Sequence, residues 1–174
     1  MGSFYGNVTV LDVELDAVRG VAGPPAFLCD ASGDVVVFSL GDDPMPVSAG
    51  PLSAALHAVA VAAAVHDDDL VLVEVHRDGE LVLAGAVPDA AEVFDVDDEP
   101  GGAALDAADL VGAVGRGDVE GVRAVLAADH VFASDAHRQL LVALGLPVCA
   151  AGWGYRYLGE DRGAFDGGEL VELA

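Results

Sequence analysis

The sequence predicts an α+β protein: an antiparallel-dominated sheet packed on a buried helix, followed by a helical C-terminal lobe and a last aromatic strand. Three observations predict it. From Leu52 to Val65 the one strongly polar side chain after Ser53 is His57, so the run lacks the polar stripe of a surface helix and should be covered on most sides. Leu70 to Val87 is rich in β-branched and aliphatic residues around Asp78-Gly79, the chemistry of a type I′ hairpin turn. Beyond residue 102, apolar residues recur at helical spacing in three short runs.

Taken in order, Phe4 to Val10 alternates as a first strand, and Leu15 to Val21 forms a short helix stopped by Gly23-Pro24-Pro25. Ala26 to Ala31 and Asp34 to Leu40 make a hairpin over Ser32-Gly33, and Gly41 to Gly50 is a loop by its Gly, Asp, Pro and Ser content. Ser53 after Pro51 is the candidate N-cap of the buried helix, whose Ala-rich interior favours helix. The run is shorter than the roughly 20 apolar residues that span a bilayer. With Leu70 to His76 next, the order strand, helix, strand, strand, helix, strand is that of ferredoxin-like βαββαβ folds, and the strand after Gly79 is an addition at the sheet. Counting outward from the turn pairs Arg77 with Glu80 and Val75 with Val82. That register puts Val71, Val73, Val75, Val82, Ala84 and Ala86 on one face, against the helix.

The chain reads as a single domain, 1–174, in four parts: an α+β core over 1–87, an acidic loop over 88–102, a helical lobe with the last strand over 103–160, and an acidic tail over 161–174. In the lobe, Leu105, Ala108, Val111 and Val114 space a first helix. Asp118 caps a second carrying Val119, Val122, Val125 and Leu126, and Ser134 caps a third carrying Leu140, Leu141 and Leu144, stopped by Gly145 and Pro147. The last strand, Val148 to Leu158, would place Trp153, Tyr155 and Tyr157 on one face.

Composition narrows the functional classes. Hydrophobic residues make up 53% and aromatics only 6%, so the core is built from Ala, Val and Leu. The formal charge of -23 comes from 30 acidic residues against 7 basic ones, all arginine. Such a surface repels nucleic acid phosphates and anionic lipid headgroups, so neither nucleic acid nor a membrane is expected. The expected partner is a protein, best a basic one, and a homo-oligomer is compatible with the same surface. High-salt adaptation and GC-rich coding are equal alternatives for the origin of the charge. Cys29 and Cys149 lie far apart in apolar runs and read as buried thiols. No N-terminal segment joins positive charge to an apolar run, so a cytoplasmic protein is expected.

Several clusters could carry chemistry. His66-Asp67-Asp68-Asp69 gathers an imidazole and three carboxylates at the junction of two core elements, which makes His66, Asp67 and Asp68 candidate metal ligands. The competing reading is a solvated turn, because adjacent side chains diverge. Glu74 and His76, two apart on one strand face, could work as a carboxylate and imidazole pair, so His66, Asp68, Glu74 and His76 are the candidate catalytic residues. The acidic run from Asp95 has Pro100 where the calcium loop of an EF-hand needs glycine. Gly112, Gly115, Gly117 and Gly121 follow a helix and sit among Asp118 and Glu120, which disfavours phosphate. Arg116-Gly117-Asp118 reads as turn plus cap, and His130 and His137 are seven apart, which is no metal spacing. Trp153, Tyr155, Arg156 and Tyr157 form the candidate binding segment, since aromatic anchors with a guanidinium fork suit recognition. Core filling by the same aromatics is the competing reading.

The start Ser3-Phe4-Tyr5-Gly6-Asn7-Val8-Thr9-Val10, the acidic turn with Asp78-Gly79-Glu80-Leu81, the run from His137-Arg138-Gln139-Leu140 through Ala143-Leu144-Gly145-Leu146-Pro147, and Gly154-Tyr155-Arg156-Tyr157-Leu158 together resemble a family of uncharacterised bacterial proteins. The resemblance spans nearly the whole chain and implies an intact single domain; it carries no catalytic residue. The functional expectation is a non-enzymatic binding or regulatory module, immunity-like or partner-sequestering, with no cofactor. The alternative is a small metal-dependent enzyme or hydrolase centred on the His66–Asp69 turn. Nucleic acid mimicry is poorer, because the carboxylates are scattered along the chain.

Overall fold

A computed structural model describes residues 3–40, 49–88 and 103–174. Among the described residues it holds a seven-stranded antiparallel sheet in the order β6-β5-β4-β1-β3-β2-β7 and six α-helices. In chain order these are β1 (Tyr5–Val10), α1 (Leu15–Val21), β2 (Ala26–Ala31), β3 (Asp34–Ser39), α2 (Ala49–Leu56), β4 (Val59–His66), β5 (Leu70–Arg77), β6 (Glu80–Val87), α3 (Ala107–Val114), α4 (Val119–Leu126), α5 (Ala133–Leu144), α6 (Tyr155–Glu160) and β7 (Leu170–Leu173). Helices cover both faces. α1 and α2 pack with Val8, Val10, Leu28, Val35, Val37, Ala60 and Ala62 on one side. α3 to α6 close over Tyr5, Phe27, Val36, Phe38, Val61, Val65, Val71 and Val73 on the other.

The α+β class and the antiparallel sheet agree with the sequence, but the hub does not. Leu52 to Val65 is not one helix: α2 ends at Leu56, and His57 turns the chain at a φ of 51° into β4. β4 lies between β1 and β5, with its alternate residues facing the two helical layers. A strand covered on both faces shows a continuous apolar run, which is the pattern a buried helix also shows. Ala60, Ala62 and Ala64 are all fully buried, and their small side chains leave room for α2 against the sheet. Ser53 is therefore not an N-cap. It lies inside α2, where its hydroxyl donates to the carbonyl of Ala58 at 2.8 Å and accepts from the amide of Gly79 at 3.2 Å.

The hairpin at Asp78-Gly79 forms as expected, with φ of 51° and 88° and Arg77 opposite Glu80. Its expected register holds for Arg77 with Glu80 and His76 with Leu81, and changes beyond them. A bulge between Val75 and His76 sets Val75 opposite Leu83 and leaves Val82 outside the ladder. Leu83, Gly85 and Val87 therefore share the face of Val75, Val73 and Val71, while Ala84 and Ala86 turn to the face of Glu74 and Leu72. Gly85 is where Leu105 crosses the strand: a Cβ there would lie 2.5 Å from Leu105 Cδ2. The chain returning at residue 103 also bonds this edge, the amide of Ala86 donating to the carbonyl of Ala103 at 2.9 Å.

In the lobe, Asp106 caps α3 and Asp118 caps α4, each side chain accepting from two amides of the first turn. Ser134 does not cap α5; that place belongs to Phe132, and Gly145 ends the helix in the left-handed region at φ 65°. The expected last strand over Val148 to Leu158 is absent. In its place stand a single 3-10 turn at Val148–Ala150 and α6. The expected acidic tail holds β7, which pairs with β2 and carries Val171 and Leu173 onto the α1 side. Of the loop expected over Gly41 to Gly50, residues 41–48 lie outside the described residues and Ala49 and Gly50 belong to α2; the acidic run from Asp95 to Gly102 also lies outside the described residues.

Candidate functional site

β1 runs through the middle of the sheet, and the sites proposed from sequence sort themselves by their distance from its two ends. His66-Asp67-Asp68-Asp69 is the turn joining β4 to β5, with Asp67 and Asp68 at φ of 52° and 60° and the amide of Asp69 donating to the carbonyl of His66 at 3.0 Å. That backbone turns Asp67 and Asp69 out to solvent. Asp68 turns inward: its carboxylate accepts from the amide of Ser3 at 3.0 Å, and its carbonyl accepts from the amide of Ala133 at 2.7 Å. One aspartate thus ties the start of β1 and the start of α5 to the same turn. His66 packs edge-on against Phe4, with ring centroids 4.9 Å apart.

Glu74 and His76 do pair, with Nε2 of His76 3.0 Å from Oε2 of Glu74. They sit toward the other end of β5, beside α2, where a Cβ on Gly50 would meet Nδ1 of His76 at 3.3 Å. Leu70, the neighbour of the acidic turn, lies opposite His66, whereas His76 lies opposite Ala60. At about 3.3 Å per residue, His66 and His76 are separated by roughly 20 Å along the sheet. The two groups do not share a cleft. Among the described residues no three His, Cys, Asp or Glu side chains are placed to hold a metal ion.

The aromatic segment turns toward the sheet. Tyr155 stacks on Phe27 at 5.3 Å, Trp153 meets Phe165 edge-on at 5.6 Å, and Tyr157 lies 6.4 Å from Tyr5 and accepts at its hydroxyl from the amide of Phe4 at 3.0 Å. Arg156 alone of the four faces solvent. Holding the segment in place is Asn7, a buried amide in the central strand that donates to the carbonyls of Ala150 at 2.8 Å and Trp153 at 3.0 Å. Gly154 permits the approach, since a Cβ there would lie 2.9 Å from Cβ of Tyr5.

Beneath this segment lies a polar pair that the sequence reading passed over. The Tyr5 hydroxyl is 2.9 Å from Nδ1 of His137, and His137 is only 2% exposed. Burial, with the Arg138 charge adding to it, pushes the imidazole down to about 4, and burial pushes the Tyr5 hydroxyl up to about 12. Both groups are neutral across the physiological range.

At the acidic corner the surface is different. Val131 is 84% exposed and Phe132 is 50% exposed, just before α5 and one residue from the bond that joins Ala133 to Asp68. Asp129 and Asp135 flank them in the chain, and the exposed Asp67 and Asp69 stand on the adjoining turn. The corner therefore presents an apolar pair with negative charge close by. The signal was present in the sequence, since Val131-Phe132 is an apolar pair between two acidic residues, but exposure was not. Comparison with protein-family models, curated proteins and solved structures finds no match to this chain.

Proposed function

We propose that this chain is a non-enzymatic binding or regulatory module of the cytoplasm, immunity-like or partner-sequestering, that captures a basic protein at the corner formed by Val131, Phe132 and the Asp67–Asp69 turn. The exposure of Val131 and Phe132 beside the acidic turn carries the reading, because it offers a partner an apolar contact with negative charge close by. The charge of -23 supports it by raising the local concentration of a basic partner and steering its approach. A supporting frame is in place: Asp68 fixes the turn against α5, so the corner is held from two sides before any partner arrives. The ferredoxin-like reading of the core is supported by the sequence of strands β4-β1-β3-β2 at the middle of the sheet, with α1 and α2 on one face.

Two synthetic peptides of equal positive charge distinguish this from general charge attraction. One carries Leu and Phe on the opposite face from its arginines, and the other replaces them with Ser and Gly. The amphipathic peptide should shift the amide resonances of Asp67, Asp69, Val131 and Phe132, and the double variant Val131→Ser/Phe132→Ser should weaken it about tenfold, a loss of roughly 1.4 kcal/mol. Equal binding of both peptides, or shifts spread over the whole acidic surface, removes the corner from the account.

A further inference from the structure

Two thiols that the sequence separates widely are brought together at the other edge of the fold. Cys29 lies on β2, fully buried on the face toward the lobe, and Cys149 lies half-buried on the 3-10 turn that Asn7 clamps to β1. Gly167 passes over both. Its carbonyl is 3.4 Å from Sγ of Cys29, and a Cβ on it would fall 2.3 Å from Cβ of Cys149 and 2.4 Å from Cζ of Phe165. Only a residue without a side chain lets the chain close over the pair. From here the strand β7 begins, with Leu170 opposite Cys29.

Gly167 is thus a common neighbour of Cys29 and Cys149, whose surroundings differ. The contact with Cys149 and burial push the Cys29 thiol up, so it keeps its proton. The hydrogen bond from Cys29 draws the Cys149 thiol below its ordinary value. Cys149, the half-buried member, is the one a reagent can reach.

We infer that Cys149 is an oxidation site for a hydroperoxide and that Cys29 resolves it to a reversible intramolecular disulfide. In the first step the Cys149 thiolate attacks one oxygen of the hydroperoxide. The S–O bond forms, the O–O bond breaks, and the alcohol or water leaves with the proton that Cys149 gave up. In the second step Sγ of Cys29 attacks Sγ of the Cys149 sulfenic acid; the S–O bond breaks and water departs with the Cys29 proton. Two electrons pass from the two thiols to the peroxide. A dithiol reductant returns both thiols by exchange. The bridge would join β2 to the turn at Val148–Ala150, locking the C-terminal segment onto the sheet edge.

The test treats the intact chain with hydrogen peroxide and reads its mass and peptide map. Cleavage after arginine leaves Cys29 in residues 20–77 and Cys149 in residues 139–156, so a bridge links two identifiable peptides. The expected product is a monomer lighter by two hydrogens, with those peptides joined and then freed by dithiothreitol. Cys149→Ser should resist the peroxide, and Cys29→Ser should accumulate a sulfenic acid at Cys149 that a 1,3-diketone labels. Sulfinic or sulfonic acid on Cys149 of the unaltered chain, a bridge between two chains, or survival of both thiols overturns the inference. Because Cys29→Ser places a hydroxyl in the core, the unaltered chain supplies a second reading: iodoacetamide should modify Cys149 at least about tenfold faster than Cys29. Equal rates would show that the two thiols are not arranged as attacking and resolving partners.

Discussion

His137 shows how one side chain makes stability depend on pH. It stands on the stripe Ala133, Ala136, His137, Leu140, Leu141 and Leu144, the helical spacing that faces the sheet. Leu140, Leu141 and Leu144 of that stripe were legible in the sequence; what was not is the burial of His137 beside them and the Tyr5 hydroxyl that meets it, because Tyr5 arrives from the far end of the chain. Among the described residues Nε2 of His137 has no hydrogen-bond partner, so protonation there would put a charge in the core. The charged and titratable groups around the pair are Arg138 beside the imidazole, and Asp68, Arg138 and Tyr157 beside Tyr5. In the folded chain the imidazole titrates near 4, below the ordinary value of 6.5, so as pH falls through that window the unfolded chain takes up a proton that the folded chain refuses. Stability supplied by the neutral imidazole is present above pH 6.5 and lost as pH falls toward 4. The loss should be about 3 kcal/mol. Urea unfolding of the chain and of His137→Phe at a series of pH values measures it, since surface carboxylates contribute alike to both. Parallel curves would mean that the folded core admits the proton.

The passage from α2 to β4 is the element that most separates the sequence reading from the structure. Ala is the best helix former, yet Ala60, Ala62, Ala63 and Ala64 sit in a strand, because two neighbouring strands and two helical layers leave room for small side chains there and no room for a helix. His57 makes the break in a left-handed conformation without the glycine or proline that would announce it. Ser53 fastens the break by bonding Ala58 on one side and Gly79 on the other. Ser53→Ala should therefore cost about 1–3 kcal/mol. It should also speed hydrogen exchange at the Gly79 amide, with little change at β1. Exchange left unchanged at Gly79 would show that the hydroxyl does not hold the hairpin. The same kind of context set the bulge at Val82 and turned Trp153 to Tyr157 from an expected strand into a turn and α6. Trp153 lies ahead of α6, and only Tyr155 and Tyr157 fall within the helix.

Over the whole molecule, the charge of -23 acts on the folded state as self-repulsion, and three of the seven arginines join separate parts of the fold. Arg116 pairs with the buried Asp34, Arg77 donates to the carbonyl of Ala113 at 2.9 Å, and Arg162 pairs with Glu172 while lying 4.7 Å over the ring of Phe27. Raising sodium chloride from about 0.01 M to about 0.5 M shortens the screening length from roughly 30 Å to a few ångströms, so the unfolding temperature should rise along that series. A flat or falling response would mean that these pairings outweigh the repulsion. Composition and local pattern fixed the acidic surface, the α+β class, the two tight hairpin turns at Ser32-Gly33 and Asp78-Gly79, and the Asp118-capped start of α4, since each depends on residues within a few positions. The break at His57, the bulge, the burial of His137, the meeting of Cys29 with Cys149 and the exposed corner at Val131 and Phe132 were decided in the tertiary structure alone. Each depends on which distant segment comes to lie alongside, and an apolar run carries no mark of the partner that will cover it.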